Sequence, residues 1–149
     1  MSVTQQQVLD SLKHVASPRG VPLTNANVLS AISVTDGKVF FSINVDAAEA
    51  RAWESVRAQA ETAVRAIPGV TAAALTTNVP FNGNVSSGSY SIVGRTRAPN
   101  ETAPHGRQEV VGGDYFKAMQ IPLVAGRTFT DADTADAPPV IVVDEYLVK

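Results

Sequence analysis

The chain has 149 residues, of which 44% are hydrophobic and 17% charged, a composition that suits a folded protein with a core and excludes an intrinsically disordered one. Its formal net charge of −2 gives no reason to expect nucleic acid as a partner. It contains no cysteine, which excludes disulfides, thiolate catalysis and cluster ligation by its own thiolates.

The N-terminal segment, residues 1–7, is polar and lacks the apolar stretch of a signal peptide. No segment approaches the roughly 20 apolar residues that a membrane-spanning helix requires. We therefore expect a protein that stays in the cytoplasm and does not insert into a membrane.

The first predicted element is a helix over residues 3–15. Thr4 is a favourable N-cap, and Gln7 follows at the spacing of a capping box. The apolar stripe expected to face the core consists of Val8, Leu12 and Val15. The helix should end at residues 17–20, Ser-Pro-Arg-Gly, because the residue before a proline avoids the helical conformation.

A β-hairpin is predicted next. Residues 28–35 and 38–45 flank Asp36-Gly37, a dipeptide that favours the type I′ turn between antiparallel strands. This turn would place the apolar side chains of both strands on one face. The predicted cross-strand pairs are Val34 with Val39, Ile32 with Phe41, Ser30 with Ile43, and Val28 with Val45.

A second helix is predicted over residues 47–66, with Asp46 and Glu49 at the spacing of another capping box. Its apolar stripe consists of Trp53, Val56, Ala60, Val64 and Ile67. Pro68-Gly69 should stop this helix, and residues 70–76 have the pattern of a strand. The order of elements in the first half is therefore α-β-β-α-β.

The second half has weaker signals. We predict strands over residues 89–95 and 108–111, a short helix over 114–119 and an extended segment over 121–124. Residues 140–143, Val-Ile-Val-Val, are wholly apolar and predict a central strand. The segments predicted as loops are residues 77–88, 96–106 and 130–139.

Together these elements predict an α+β fold with helices packed on one face of a mainly antiparallel or mixed sheet. The order α-β-β-α-β would be followed by further strands and a short helix. We expect a single merged domain over residues 1–149. The alternative is two subdomains, residues 1–76 and 77–149.

Acidic and histidine side chains were considered as metal ligands. An EF-hand loop that starts at Asp131 and includes Asp133 would need glycine at its sixth position and glutamate at its twelfth, where Asp136 and Val142 stand. The sequence therefore predicts a solvated acidic loop. The two histidines are His14, expected to act as a cation at a helix C-terminus, and His105, in a loop.

Other candidate motifs also have structural explanations. Ser86-Ser87-Gly88 lacks the Gly-x-Ser-x-Gly pattern of a nucleophile elbow and predicts a turn. Gly112-Gly113 predicts a tight strand-to-helix turn rather than an anion-binding nest. The glycosylation sequons at Asn84 and Asn100 are expected to be coincidental. The aromatic residues predicted to lie in the core are Trp53, Tyr90, Tyr115 and Phe116. We predict no catalytic, cofactor-binding or metal-binding residues and no cofactor.

Residues 1–76 resemble the small N-terminal domain of Mrp/ApbC-type iron–sulfur carrier ATPases, a domain that also occurs alone in iron–sulfur assembly factors. The runs that carry this resemblance are residues 2–4, 8–9, 17–23, 35–43, 47–54 and 64–70. The chain departs from the family at Ser17, where aspartate is usual, and at residues 25–27, where Leu-Gly is usual. It also lacks the phosphate-binding loop of the full carriers, so the resemblance implies no ATP hydrolysis.

Residues 77–149 resemble the periplasmic core domain of MacB-like ABC transporter permeases. The residues that carry this resemblance are Tyr115, Phe116, Met119, Ile121, Pro122, Leu123, Gly126, Arg127, Phe129, Asp133, residues 139–143 and Glu145. Gln120 stands where glycine is usual, and Asp144 where asparagine is usual. The family's transmembrane helices are absent, so the resemblance implies an interaction module outside the membrane without transport activity.

The whole chain resembles a chimera or a designed sequence, because the two families normally lie on opposite sides of a membrane. We therefore expect a non-catalytic, soluble protein that is not an enzyme and has no selected activity. One alternative is an accessory module of iron–sulfur assembly, which would bind a cluster-bearing ATPase or scaffold through a surface around residues 17–27. The other is an extracytoplasmic interaction domain of a transporter. A protein partner is expected only where a family role is retained.

Overall fold

The structure is a computed structural model that describes residues 2–30, 32–46, 48–77, 87–130, 132–134 and 136–148. Its α-helices are α1 (Gln5–Leu12), α2 (Glu54–Arg65) and α3 (Tyr115–Ala118), and 3-10 helices cover Leu23–Asn25 and Ala50–Trp53. The strands are β1 (Ser33–Thr35), β2 (Lys38–Phe41), β3 (Ala72–Thr76), β4 (Ser87–Ser89), β5 (His105–Arg107) and β6 (Val111–Gly113). None of the helices in these ranges is long and apolar enough to cross a membrane.

Four of the strands form one mixed sheet in the order β1-β2-β3-β6. β1 and β2 are antiparallel, β2 and β3 are parallel, and β3 and β6 are antiparallel. β4 and β5 form a separate antiparallel pair. The predicted α+β class with a mixed sheet is confirmed.

The start of α1 follows the predicted capping box. The Gln7 N–H donates to the Thr4 hydroxyl at 3.3 Å, and the Thr4 N–H donates to the Gln7 side-chain oxygen at 2.9 Å. Because these bonds satisfy backbone donors that the helix leaves free, they fix the first turn. Val8 and Leu12 are fully buried and Val15 nearly so, which confirms the predicted stripe. The helix is shorter than predicted and ends at Leu12.

The turn of the β1–β2 hairpin is the predicted one. Asp36 and Gly37 both have positive φ angles, 50° and 75°, as a type I′ turn requires. Val34 pairs with Val39 in the predicted register. A side chain at position 37 would also clash with the Gly69 carbonyl oxygen, which lies 2.5 Å from the place of its Cβ atom.

The outer part of this hairpin departs from the predicted register by one residue. The two predicted pairs that are wrong are Ser30 with Ile43 and Val28 with Val45. Instead, Leu29 is bridged to Ile43. Because Ile43 packs against the core, the offset gives it an apolar cross-strand neighbour in place of a serine. The Ser30 hydroxyl instead accepts a hydrogen bond of 2.7 Å from Ser42.

The second helix begins later than predicted. The capping box of Asp46 with Glu49 does not form. The Asp46 carboxylate accepts the Ala48 N–H at 2.9 Å, the Glu49 N–H donates to the Asp46 carbonyl, and the Glu49 carboxylate pairs with Arg19 at 2.7 Å. The 3-10 helix Ala50–Trp53 comes first, and α2 follows from Glu54. The predicted stripe is confirmed, with Trp53, Val56, Ala60 and Val64 buried and Ile67 partly buried.

The two faces of the main sheet carry separate apolar clusters. On one face, α1 and α2 pack over Val39, Phe41 and the side chains of β3 that point the same way. On the other face, α3 packs over Phe40, Ala72 and Ala74. Successive side chains of a strand point to opposite faces, so β2 and β3 supply both clusters. The helices α1 and α2 share a face as predicted, whereas the short α3 covers the opposite face.

The second half of the chain departs most from the predicted elements. The strand predicted over residues 89–95 does not form, since β4 covers Ser87–Ser89 and shares only Ser89 with it. A strand near the one predicted over 108–111 forms later, as β6, and shares only Val111 with the predicted range. The helix predicted over residues 114–119 is confirmed as α3. Residues 140–143 form no strand, and Ile141 is 74% exposed.

The two interior strands of the sheet are β2 and β3, and β3 is buried along all five of its residues. Its alanines are small enough for layers of side chains to approach it from both faces. The prediction that residues 140–143 form the central strand is therefore wrong. An apolar, β-branched run favours a strand, but it does not select the strand with which it pairs.

Candidate functional site

The segment after α1 folds back on itself around Ser17. The Ser17 N–H donates to the Val21 carbonyl at 2.8 Å, and the Val21 N–H donates to the Ser17 hydroxyl at 3.1 Å. The Gly20 N–H donates to the Ser17 carbonyl at 2.9 Å, and Gly20 has a φ of 76°, which favours glycine. Ser17 is buried. At the position where the resembled family has aspartate, the serine therefore closes the turn with its hydroxyl.

This turn forms one wall of a groove of about 310 Å³. The opposite wall comes from the end of the β1–β2 hairpin and the 3-10 helix Ala50–Trp53. The residues that line the groove are Ser17, Arg19, Val21, Asn25, Ala26, Val28, Asn44, Val45, Asp46, Glu49 and Trp53. The groove coincides with the surface around residues 17–27 that the iron–sulfur alternative predicted.

Charge and polarity are unevenly distributed in this groove. Arg19 and Glu49 form an ion pair of 2.7 Å between the two walls, and both side chains remain largely exposed. Because exposed pairs contribute little to stability, a ligand can separate them at low cost. Trp53 is only 7% exposed and belongs to the core, whereas Val21 is an exposed apolar side chain of the lining. Exposed apolar surface beside polar and charged side chains is typical of a protein-binding site.

Two aspartates of the acidic loop pair with arginines, and Asp136 remains exposed to solvent. Asp133 accepts two hydrogen bonds of 2.7 Å from Arg127 and a third of 2.7 Å from the Thr130 N–H. The Arg127 guanidinium and this N–H lower the pKa of the Asp133 carboxyl well below its usual range. Asp136 pairs with Arg51 at 2.5 Å, so the two aspartates have different arginine partners. Within the described ranges, no three acidic or histidine side chains could together hold a metal ion.

The histidines lie far apart in sequence and have different surroundings. His14 follows α1 by two residues, and its N–H donates to the Ser11 carbonyl at 3.3 Å. His105 lies in β5 with one ring nitrogen 3.2 Å from the Ser89 hydroxyl and the other 3.1 Å from the Ser87 hydroxyl. Sequence reasoning missed this contact because residues 87–89 and 105 meet only through the pairing of β4 with β5. The predicted candidates Asn84, Ser86 and Asp131 lie outside the described residues.

Gly113 forms the predicted tight turn from β6 into α3, with a φ of 63°. The next residue, Asp114, is tied to both the sheet and α2. Its N–H donates to the Ala73 carbonyl at 3.0 Å, and its carboxylate accepts a hydrogen bond of 2.9 Å from Arg65. Arg65 is also paired with Glu61. Gly113 and Asp114 therefore join the second half of the chain to the sheet and to α2 of the first half.

The predicted core aromatic residues differ in burial. Trp53 and Tyr115 are buried, and Phe116 and Tyr90 are partly exposed. The Tyr115 hydroxyl donates to Glu109 at 2.9 Å. Burial and this hydrogen bond to a carboxylate raise the pKa of Tyr115 to about 12, so its phenol stays protonated at neutral pH.

Comparison with known families matches one half of the chain. Residues 5–75 match the model of the family described as iron-sulfur cluster assembly protein. This range extends from α1 to β3 and contains every residue that lines the groove. No curated protein and no solved structure matches the chain significantly. The predicted resemblance of the first half to an iron–sulfur assembly domain is confirmed, and the resemblance of residues 77–149 to MacB-like domains stays a prediction.

Proposed function

We propose that residues 5–75 act as a non-catalytic accessory module of iron–sulfur cluster assembly that binds a cluster-bearing ATPase or scaffold protein. The observation that carries this proposal is the family match over residues 5–75, which includes the whole groove. The proposed compartment is the cytoplasm, as the sequence predicts.

The composition of the chain indicates which protein would hold the cluster. It has no cysteine and so no thiolate with which to ligate a cluster. In this proposal the cluster therefore stays on the partner, and the module supplies only a binding surface. A role in positioning the partner needs no nucleophile or general base, which fits a groove lined by amide, apolar and ion-paired side chains.

The groove offers the features by which one protein anchors another. Val21, Val28 and Val45 provide accessible apolar surface. Asn25 and Asn44 provide exposed amide groups along the walls. Separation of Arg19 from Glu49 would free two opposite charges for the partner to pair.

The proposal is tested by titrating the purified chain with an Mrp-type carrier ATPase loaded with its cluster, while Trp53 fluorescence and calorimetric heat are measured. We expect saturable binding of one partner. Glu49→Lys should weaken it about tenfold or more, because the substitution places two like charges at the groove. The control is Asp10→Lys, which makes the same change of charge on α1, away from the groove.

Absence of binding to the carrier and to a cluster-loaded scaffold protein would refute the proposal. Equal loss of affinity in the Glu49→Lys and Asp10→Lys variants would assign the binding to net charge and refute the role of the groove. Retention of full affinity by Glu49→Lys would also refute the role of the groove.

A second candidate is a recombined or designed chain without selected activity, in which residues 77–149 derive from a MacB-like interaction domain. Among the described residues, all the exposed large hydrophobic side chains except Val21 lie between residues 92 and 148. This exposed apolar surface supports an origin of the second half in a domain that packs against another protein. Stoichiometric binding of a cluster-bearing protein would refute this second candidate, because it would show a specific activity.

A further inference from the structure

The hairpin of β4 and β5 differs in charge from the rest of the chain. Residues 87–108 contain three arginines, Arg95, Arg97 and Arg107, against one glutamate, Glu101, whereas the whole chain has a net charge of −2. The hairpin lies outside residues 5–75, so nothing in the inference below rests on the proposed function.

The register of this hairpin gathers polar side chains on one face. Ser87 lies opposite Arg107, and Ser89 lies opposite His105. Directly opposed residues share a face, and so do residues two apart on one strand. The contacts of His105 with both hydroxyls, at 3.1 and 3.2 Å, show that these side chains do meet on that face. His105 therefore holds the two serines in a row of hydrogen-bonding groups.

A cavity of about 210 Å³ lies at the end of this row. The residues that line it are Ser91, Ile92, Arg95, Arg97 and Pro104. The ladder of β4 and β5 continues towards it through the hydrogen bond of 3.0 Å from the Tyr90 N–H to the Pro104 carbonyl. Ser91 follows Ser89 by two residues, in line with the row.

The two arginines of the cavity differ in how their charge is balanced. Arg95 is paired with Glu101 at 2.5 Å, and Glu101 also accepts the Ala98 N–H at 3.2 Å, so this guanidinium has a fixed position. Among the described residues, no carboxylate pairs with Arg97. One of the two guanidiniums at the cavity is therefore uncompensated.

We propose that this cavity binds an oxyanion, a phosphate group, between Arg95 and Arg97 with the Ser91 hydroxyl as a third donor. A phosphate carries nearly two negative charges and several acceptor oxygens, and guanidinium groups pair with it through two parallel hydrogen bonds. The uncompensated Arg97 supplies the charge, and Arg95, already fixed by Glu101, supplies donors in a defined orientation. The row through Ser89 and His105 continues the hydrogen-bonding surface for the group that bears the phosphate.

The test is a titration of the full chain with sodium phosphate against sodium chloride of matched ionic strength, followed by ¹H–¹⁵N spectra of the arginine side chains and the hairpin backbone. We expect a saturable shift at Arg95, Arg97 and Ser91 that chloride does not produce. Arg97→Gln should weaken binding about tenfold, as the loss of one charge-assisted contact does. The control is Arg57→Gln, which removes the same charge from an exposed position of α2.

A second variant and a second ligand complete the test. Ser91→Ala keeps the charge of the cavity and should also weaken binding, which separates a formed site from attraction by charge alone. Titration with N-acetyl-phosphoserine amide distinguishes the sources of the phosphate. Tighter binding of this compound than of inorganic phosphate would assign the site to a phosphorylated protein, and the reverse would assign it to the free ion. Equal shifts in phosphate and chloride, or equal effects of Arg97→Gln and Arg57→Gln, would overturn the proposal.

Discussion

Two residues beside α3 have backbone conformations that favour glycine, and only one of them is a glycine. Gly113 precedes the helix with a φ of 63°, and Gln120 follows it with a φ of 56°. At the C-terminus, the Ile121 N–H donates to the Phe116 carbonyl at 2.9 Å and the Gln120 N–H to the Lys117 carbonyl at 3.2 Å. This is the pattern of a Schellman motif, in which glycine is usual at position 120.

Gln120→Gly should therefore stabilise the protein. A left-handed conformation costs a residue with a Cβ atom about 1–2 kcal/mol, and glycine removes this cost. The greater conformational entropy of glycine in the unfolded chain offsets about 0.5–1 kcal/mol of the stabilisation. We expect a rise of roughly 0.5–1 kcal/mol in the free energy of unfolding, measured in urea. Gln59→Gly, within α2, serves as the control and should destabilise by about 1 kcal/mol. Destabilisation by both variants would contradict the assigned C-terminus of α3.

Gly113→Ala should destabilise the protein, whereas Gly112→Ala should not. A Cβ atom at position 113 would lie 2.5 Å from a Glu61 side-chain oxygen and 2.7 Å from the Ala73 carbonyl oxygen, whereas one at position 112 would contact nothing within 4 Å. Strain and displacement at position 113 should cost about 1–3 kcal/mol, and position 112 should stay within about 0.5 kcal/mol of the wild type. Unfolding in urea measures both. Equal stability of the two variants would show that β6 does not pack on β3 as described.

At the scale of elements, the ends of helices were predictable where a local side chain determines them. The capping box of Thr4 and Gln7 forms because both partners are within three residues and have no competing contact. The second capping box does not form, because the Asp46 carboxylate accepts the Ala48 N–H at 2.9 Å and the Glu49 N–H donates to the Asp46 carbonyl instead. The spacing of the two residues does not show which N–H the Asp46 carboxylate will accept.

Thr4→Ala should destabilise the protein by about 1 kcal/mol, because the Gln7 N–H loses the Thr4 hydroxyl as its acceptor, whereas the bond from the Thr4 N–H to the Gln7 side chain can remain. The measurement is thermal or urea-induced unfolding monitored by circular dichroism. Thr62→Ala is the control, since that hydroxyl donates to the Ala58 carbonyl within α2 and caps nothing. Its effect should be within about 0.5 kcal/mol of zero. A loss at position 4 no larger than at position 62 would mean that the capping box contributes nothing to stability.

At the scale of the whole molecule, the two halves of the chain share one sheet. β6, from the second half, pairs with β3 between Ala74 and Gly113, and the Asp114 carboxylate is bonded to Arg65 of α2. These contacts cross the boundary at which the two family resemblances meet. A sheet shared in this way favours unfolding of both halves together, as the prediction of a single merged domain requires.

We predict coincident unfolding transitions for two probes in urea. Trp53 fluorescence reports the first half, since the chain has one tryptophan, and far-ultraviolet circular dichroism reports the whole chain. Cooperative loss of Trp53 fluorescence while much of the dichroism signal changes without a transition would contradict the single domain. Two separate transitions would support the alternative division at residues 76 and 77. Gly113→Ala should shift both probes equally if the halves are coupled.

The sequence by itself determined the α+β class, the helix N-cap at Thr4, the type I′ turn at Asp36-Gly37 and the apolar stripe of α2. Each of these depends on interactions within a few residues, where spacing alone identifies the partners. The surface around residues 17–27 was predicted through a family resemblance, and the structure adds the opposite wall that makes it a groove.

Only the tertiary structure decided which strands lie inside the sheet, where the hairpin register shifts and which polar groups meet. Residues 140–143 are more apolar than β3, yet β3 is buried between two layers because its alanines fit where larger side chains would not. Leu29 replaces Ser30 opposite Ile43 because burial favours an apolar neighbour there. His105 reaches Ser87 and Ser89 only through strand pairing. These outcomes depend on contacts between residues distant in sequence, whose partners local patterns do not specify.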